Sequence, residues 1–190
     1  YIISAQPFAQ IGDGIAVDWY FNMKGAGYGE VETLPELGFA AVTSKEGEAP
    51  YAAENAARII FGQDGVRAEG TDAGGSLAVT SGADQKIGDL YELNNWESNI
   101  QLRVRFVPSE NRIELQRCKT AVDGNTFHVV AEVENIAIPA ENVYFAMYLA
   151  AGDNLTVTHW ALPALANTQL AASDYAANYT GTVTGNDAGI

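Results

Sequence analysis

Three observations predict an all-β fold built as an antiparallel two-sheet sandwich. Short apolar runs with period-2 alternation recur along the 190 residues, and 19 glycines punctuate them. Between residues 99 and 160, moreover, successive runs pair so that both faces of a sheet agree. Ile100, Leu102, Val104 and Phe106 alternate with Gln101, Arg103 and Arg105, and a turn follows at Pro108, Ser109, Glu110 and Asn111. Folding back about that turn sets Phe106 opposite Ile113, Val104 opposite Leu115 and Arg105 opposite Glu114. Apolar residues then meet on one face and opposite charges on the other. The next return, through Val122, Asp123 and Gly124, sets Ile113 with Val133 and Leu115 with Ala131 if the loop has three residues and Gly124 takes the left-handed position. Two more alternating runs, Val143, Phe145, Met147, Leu149 and then Leu155, Val157, complete the set.

Taken from the start, Ile2 and Ile3 form one short apolar run ahead of Pro7 and predict an edge strand that pairs late. Ile15, Val17, Trp19, Phe21 and Met23 alternate with polar or small residues, and two aromatics on one face mark a central strand. The glycines at 25, 27 and 29 break it, an acidic loop from Glu30 to Glu36 follows, and residues 37 to 42 make the next strand. Residues 44 to 57 read as a loop with room for one helical turn after Pro50. Arg58 to Phe61 and Val66 to Glu69 flank Gly62, Gln63, Asp64 and Gly65 as a hairpin, and Leu77, Ala78 and Val79 make a further short strand. Residues 81 to 98 form a polar loop pinned by Leu90, Tyr91, Leu93 and Trp96.

About ten short strands with long connections describe a jelly-roll sandwich over residues 1–162. After Trp160 the composition shifts to Ala, Asn, Thr and Gly. Residues 163–190 therefore read as an extended C-terminal tail or linker without a core of its own.

Composition narrows the function. Hydrophobic content of 47% with 18% charged residues is that of a globular domain. Ten basic against 24 acidic residues leave a net charge of −14, which repels phosphate backbones and anionic lipid and so disfavours nucleic-acid and membrane partners. Cys118 is the only cysteine, so an internal disulfide and a thiolate zinc site are both excluded. His128 and His159 stand far apart and make a poor metal pair. Asp84, Asp89, Asn94, Asn95 and Glu97 lack the spacing of a calcium loop, and no cofactor is expected. The basic residues concentrate instead at Arg103, Arg105, Arg112, Arg117 and Lys119.

The run from Ile100 to Phe106, the turn, Arg112 to Leu115, the Asp123-Gly124 return into 126 to 130, then 142 to 149 and 155 to 158, resembles the concanavalin A-like lectin and laminin-G-like superfamily. The likeness covers residues 12 to 162 and is nearest to such domains on the fibres and head decorations of tailed phages. It implies a virion or extracellular-surface location, other virion subunits as partners, a homo-oligomer and a glycan ligand. The glycan hydrolases of this fold carry Glu-x-Asp-x-x-Glu on one strand. That run is missing here, since Glu132 and Glu134 share a strand without the aspartate, and the expectation is a non-enzymatic structural or adhesive module. The alternatives are a secreted carbohydrate-binding module and a divergent glycan-cleaving enzyme.

The candidate ligand face, for which the alternative is a solvated or subunit-packed sheet face, carries Arg103, Arg105, Gln116, His128, Tyr144 and Tyr148, whose side chains alternate away from the inter-sheet core. Aromatic rings stack on the apolar faces of sugars, and planar Arg and Gln groups sort hydroxyl patterns. The cluster of arginines on a strongly acidic chain suggests an acidic sugar.

Overall fold

The alternation of residues 100 to 134 is realised in the pairing. In the computed structural model, Ile100–Val107 (β7) runs antiparallel to Arg112–Cys118 (β8), with Phe106 facing Ile113, Val104 facing Leu115 and Arg105 facing Glu114. A 3-10 turn at Pro108–Glu110 reverses the chain. It closes on Asn111, whose left-handed backbone (φ 51°) lets its N–H reach the Pro108 carbonyl at 3.2 Å.

The structure describes residues 1–3, 15–22, 36–47, 50–52, 56–62, 64–86, 100–118, 126–139, 141–149, 154–161 and 181–184. The other strands are Ile2–Ile3 (β1), Ile15–Asn22 (β2), Leu37–Val42 (β3), Ala57–Phe61 (β4), Val66–Glu69 (β5), Ala78–Ser81 (β6), His128–Glu134 (β9), Tyr144–Leu149 (β10), Asn154–Ala161 (β11) and Gly181–Thr184 (β12). For β2, β11 and β12 the backbone alone is described. The described residues are all-β with two 3-10 turns and no α-helix, in two antiparallel sheets. One has five strands, in the order β1-β10-β3-β4-β5, and the other seven, in the order β12-β11-β2-β7-β8-β9-β6.

The two sheets share one core. Phe39, Ile59, Phe61, Phe145 and Met147 from the first pack with Leu102, Val104, Phe106, Ile113, Leu115 and Val133 from the second. Phe106 and Phe145 meet across the layers with ring centroids 5.2 Å apart and planes inclined by 43°. Such a tilted pair adds roughly 0.5–1.5 kcal/mol beyond the area it buries. One side of the sandwich is tied by backbone bonds between connections: Val66 N–H to Ala83 O at 2.9 Å, Ala73 N–H to Asn135 O at 2.9 Å and Ala137 N–H to Thr71 O at 2.8 Å.

Several expectations are met in detail. Ile2–Ile3 is an edge strand, paired with Met147 and Ala146. Ile15–Asn22 lies inside its sheet between β11 and β7, with Ile15, Val17 and Trp19 on the same rows as Phe106, Val104 and Leu102. Arg58 to Phe61 and Val66 to Glu69 form the expected hairpin, closed by Gly62 N–H to Gly65 O at 3.1 Å. The helical turn after Pro50 is a 3-10 turn at Pro50–Ala52.

Two expectations are corrected. The β8–β9 pairing keeps Ile113 with Val133 and Leu115 with Ala131, then skips Val130 and resumes as Gln116 with Val129 and Arg117 with His128. Both expected pairs are thus present and the register changes only beyond them, while the return itself, with Gly124, lies outside the described residues. The bulge is held from outside by Gly82, at φ +66°, where a Cβ would stand 1.9 Å from the Val130 carbonyl oxygen. The second correction concerns residues 144 to 149, which do not continue the sheet of β7, β8 and β9 but pair with β3 in the opposite sheet, Phe145 facing Ala41 and Met147 facing Phe39. Of the stretch after residue 162, Gly181–Thr184 pairs with β11. The loop expected at 87 to 98 and the rest of 163–190 lie outside the described residues.

Candidate functional site

Each sheet turns a second face away from the shared core, and the two outer faces differ in chemistry. On the five-stranded sheet the rows across β10, β3 and β4 carry small residues, Gly38, Ala40 and Ala146, which leave room above the backbone. The Tyr148 ring fills that room, lying directly on its register partner Gly38. Tyr51, carried by the Pro50–Ala52 turn, stacks on Tyr148 with centroids 4.1 Å apart and planes 15° apart, and Tyr1 leans on Tyr51 at 5.4 Å. Ala40, Val42, Ala56, Ile60 and Ala146 complete this outer apolar cluster, which explains why every residue of β3 is buried.

The Tyr148 hydroxyl is buried without a hydrogen-bond partner among the described residues. Burial pushes its pKa up to about 12, opposed by the charge of Arg58, which approaches outside good hydrogen-bond geometry. Beyond it a charged strip closes the cluster. Arg58 pairs with Glu69, and Arg67 grips Glu36 in a two-pronged contact at 2.7 and 2.6 Å. The hydrogen bonds from Arg67 hold the Glu36 carboxyl below its usual range despite partial burial.

The outer face of the seven-stranded sheet is polar. One row sets Arg105 beside Glu114 and Glu132, and the next sets Arg103 beside Gln116 and Val129. Arg112 organises the first row. Its Nη1 donates to Glu114 Oε1 at 2.7 Å and to Glu132 Oε2 at 3.1 Å, while Nη2 meets Glu110 at 2.7 Å. Gln116 Nε2 donates to Glu114 Oε2 at 2.7 Å, and Arg105 stands 3.9 Å from the same oxygen. Burial works against the Arg112 charge, but Glu114, Glu132 and Glu110 together outweigh it and raise its pKa. Glu114, only 5% exposed, is the buried charged residue of the described chain, and this ring of donors is what makes its burial tolerable. In the second row the Arg103 guanidinium lies 3.7 Å from the centre of the Phe127 ring, and Val129 stands 51% exposed.

Of the six residues expected to share a ligand face, the structure brings together Arg103, Arg105 and Gln116. Tyr144 and Tyr148 belong to the other sheet and lie on the opposite side of the sandwich, Tyr148 buried under Tyr51. His128 is turned by the bulge: it pairs with Arg117, which pairs with Leu102, a core residue, so both take the core-side row. The premise of an acidic ligand also weakens, because Arg105 and Arg112 are matched by Glu110, Glu114 and Glu132 on the same face. Sequence reasoning missed Phe127, Val129, Arg112 and Glu132 as members of this face. The i, i+2 spacing of Arg112 and Glu114 could have suggested two of the contacts, but the outward Val129 follows from the bulge alone.

Among the described residues, no group of three or more His, Cys, Asp or Glu is placed to hold a metal ion. Of Asp84, Asp89, Asn94, Asn95 and Glu97, which lack the spacing of a calcium loop, only Asp84 is among the described residues. The class that fold and face define together is an all-β, two-sheet protein with one polar and one aromatic outer face. Compared with known proteins, the chain matches no protein-family model and no curated protein.

Proposed function

We propose that this chain is a non-enzymatic structural or adhesive module of a virion, a jelly-roll domain of a phage fibre or capsid decoration that works as a homo-oligomer on the particle surface. A glycan ligand fits the row of Arg103, Phe127, Gln116 and Val129. The observation that carries the non-enzymatic reading is the sharing of Arg112 between Glu114 and Glu132. These two carboxylates are register partners on neighbouring strands, a relation that puts side chains about 5 Å apart, within the range of a retaining glycosidase pair. Such chemistry needs two carboxyls open to the substrate, whereas both of these are bonded to one guanidinium and Gln116 and Arg105 also face Glu114. The pair is built as an ion network.

The virion setting rests on the resemblance of the strand pattern and on the edge strand β12, at the margin of the seven-stranded sheet, a place where a neighbouring chain can pair. Sugar binding at a shallow polar face is weak per site, and copies acting together supply useful strength. The test is a glycan array read with the intact assembly, its mass fixed by light scattering, comparing wild type with Arg103→Ala and Gln116→Ala. Signal lost in both variants supports the reading. No signal for any sugar removes the adhesive role, and release of reducing sugar that disappears in Glu114→Gln overturns the non-enzymatic one.

A further inference from the structure

The outer face of the seven-stranded sheet continues past Arg103 onto β2 and β11, and the register across those strands sets its charge. Arg103 stands opposite Asp18 of β2 on one side and Gln116 of β8 on the other, with Ala161 and Val129 further along the same row. The row faces outward, because Leu102 and Val104, on either side of Arg103 in its strand, are both fully buried in the core. Directly opposed residues on one face hold their Cβ atoms about 5 Å apart, so opposite charges at such positions offset each other. Asp18 offsets Arg103 by that rule, as Glu114 and Glu132 offset Arg105 and Arg112. Among the described residues, each arginine of this face has an acid opposite it or bonded to it.

The neighbouring outward row carries no Asp, Glu, Lys or Arg. The pairing of β11 with β2 skips Thr158, which sets His159 opposite Tyr20, and Tyr20 in turn stands opposite Gln101. An aromatic residue is thus flanked by two residue types whose side chains both donate and accept hydrogen bonds. A sugar uses that combination, a flat aromatic surface for its C–H face and planar polar groups for its hydroxyls. Phe127 gives one face of its ring to the Arg103 guanidinium, and Tyr20 brings a second aromatic to the adjacent row. An acidic sugar would meet no surplus positive charge here, and the −14 chain repels it. Building on the glycan reading of this face, we propose that its ligand is an uncharged glycan, with Tyr20 as the stacking residue and Asp18, opposite Arg103, as the residue that selects against acidic sugars.

The experiment is an array of neutral, sialylated and sulfated glycans read with the intact assembly of the full chain, at low salt and at 0.5 M salt. Wild type should bind neutral glycans with little change between the two salts, since no net charge is screened. Tyr20→Ala should lower that signal about tenfold and Tyr20→Phe retain it, the ring being what stacks. Asp18→Asn should leave neutral binding in place and raise the sialylated or sulfated signal several-fold. Silence towards all three classes defeats the glycan reading and this inference together. Binding that prefers acidic glycans and falls steeply with salt, that Tyr20→Ala leaves intact, or that gains no acidic ligand in Asp18→Asn, overturns this inference and leaves the glycan reading standing. The preference and salt response of the wild type decide even where a variant fails to fold.

Discussion

The Tyr148 ring lies so close on Gly38 that a Cβ at residue 38 would stand 2.0 Å from the ring's Cζ. That contact lets the stack with Tyr51 form, and Tyr51 in turn carries the Pro50–Ala52 turn onto the sheet. Gly38→Ala should lift the ring, break the stack and cost about 1–3 kcal/mol, the range of overpacking in a filled site. Urea denaturation of the purified variant measures it.

Tyr148→Phe keeps the ring and removes a buried hydroxyl that has no hydrogen-bond partner among the described residues. Stability at neutral pH should stay level or rise slightly. A loss of more than about 1 kcal/mol would reveal a hydrogen bond to a partner outside the described residues.

The same substitution has a signature in base. The Tyr148 pKa is raised to about 12, above the unfolded value near 10, so the folded state holds its proton more tightly. This contribution is fully present below pH 10 and is lost as pH climbs from about 10 to about 12, on the order of 2–3 kcal/mol. Denaturation midpoints measured across that window should fall less steeply for Tyr148→Phe than for wild type.

Glu114 sits under Arg112, Arg105 and Gln116 at 5% exposure. Glu114→Gln leaves two half-buried guanidinium groups short of a counter-charge and should cost about 1–3 kcal/mol, discounted from the full cost of breaking a buried pair because both arginines reach water. A double-mutant cycle with Arg112→Met isolates the coupling. No coupling would mean that the network is decorative.

Val104 is fully buried between the sheets, opposite Leu115. Val104→Asp places an unpaired carboxylate there and should cost several kcal/mol, seen as loss of the cooperative thermal transition.

What the sequence determined by itself is the set of local relations that period-2 alternation carries. Which residues of a strand share a face, and which residues meet across a short return, follow from the pleat and from turn length; hence Phe106 with Ile113, and Arg105 with Glu114. The alternation of Val143, Phe145 and Met147 likewise marked a buried face. Alternation does not say which sheet a strand joins. Tyr144–Leu149 pairs with Leu37–Val42 across about a hundred residues, a choice made by the fit of Phe145 to Phe106 across the layers and of Tyr148 to Gly38 on the outside. That choice moved Tyr144 and Tyr148 to the far side of the sandwich from Arg103. A bulge is equally silent in the alternation. One extra residue, Val130, seated against Gly82 from a distant turn, reverses the faces of everything before it in β9, turning His128 to the core side and Val129 outward. Local pattern is a property of a strand, whereas partner and register beyond a bulge are properties of the packed molecule. The make-up of the candidate ligand face was therefore decided by the tertiary structure alone.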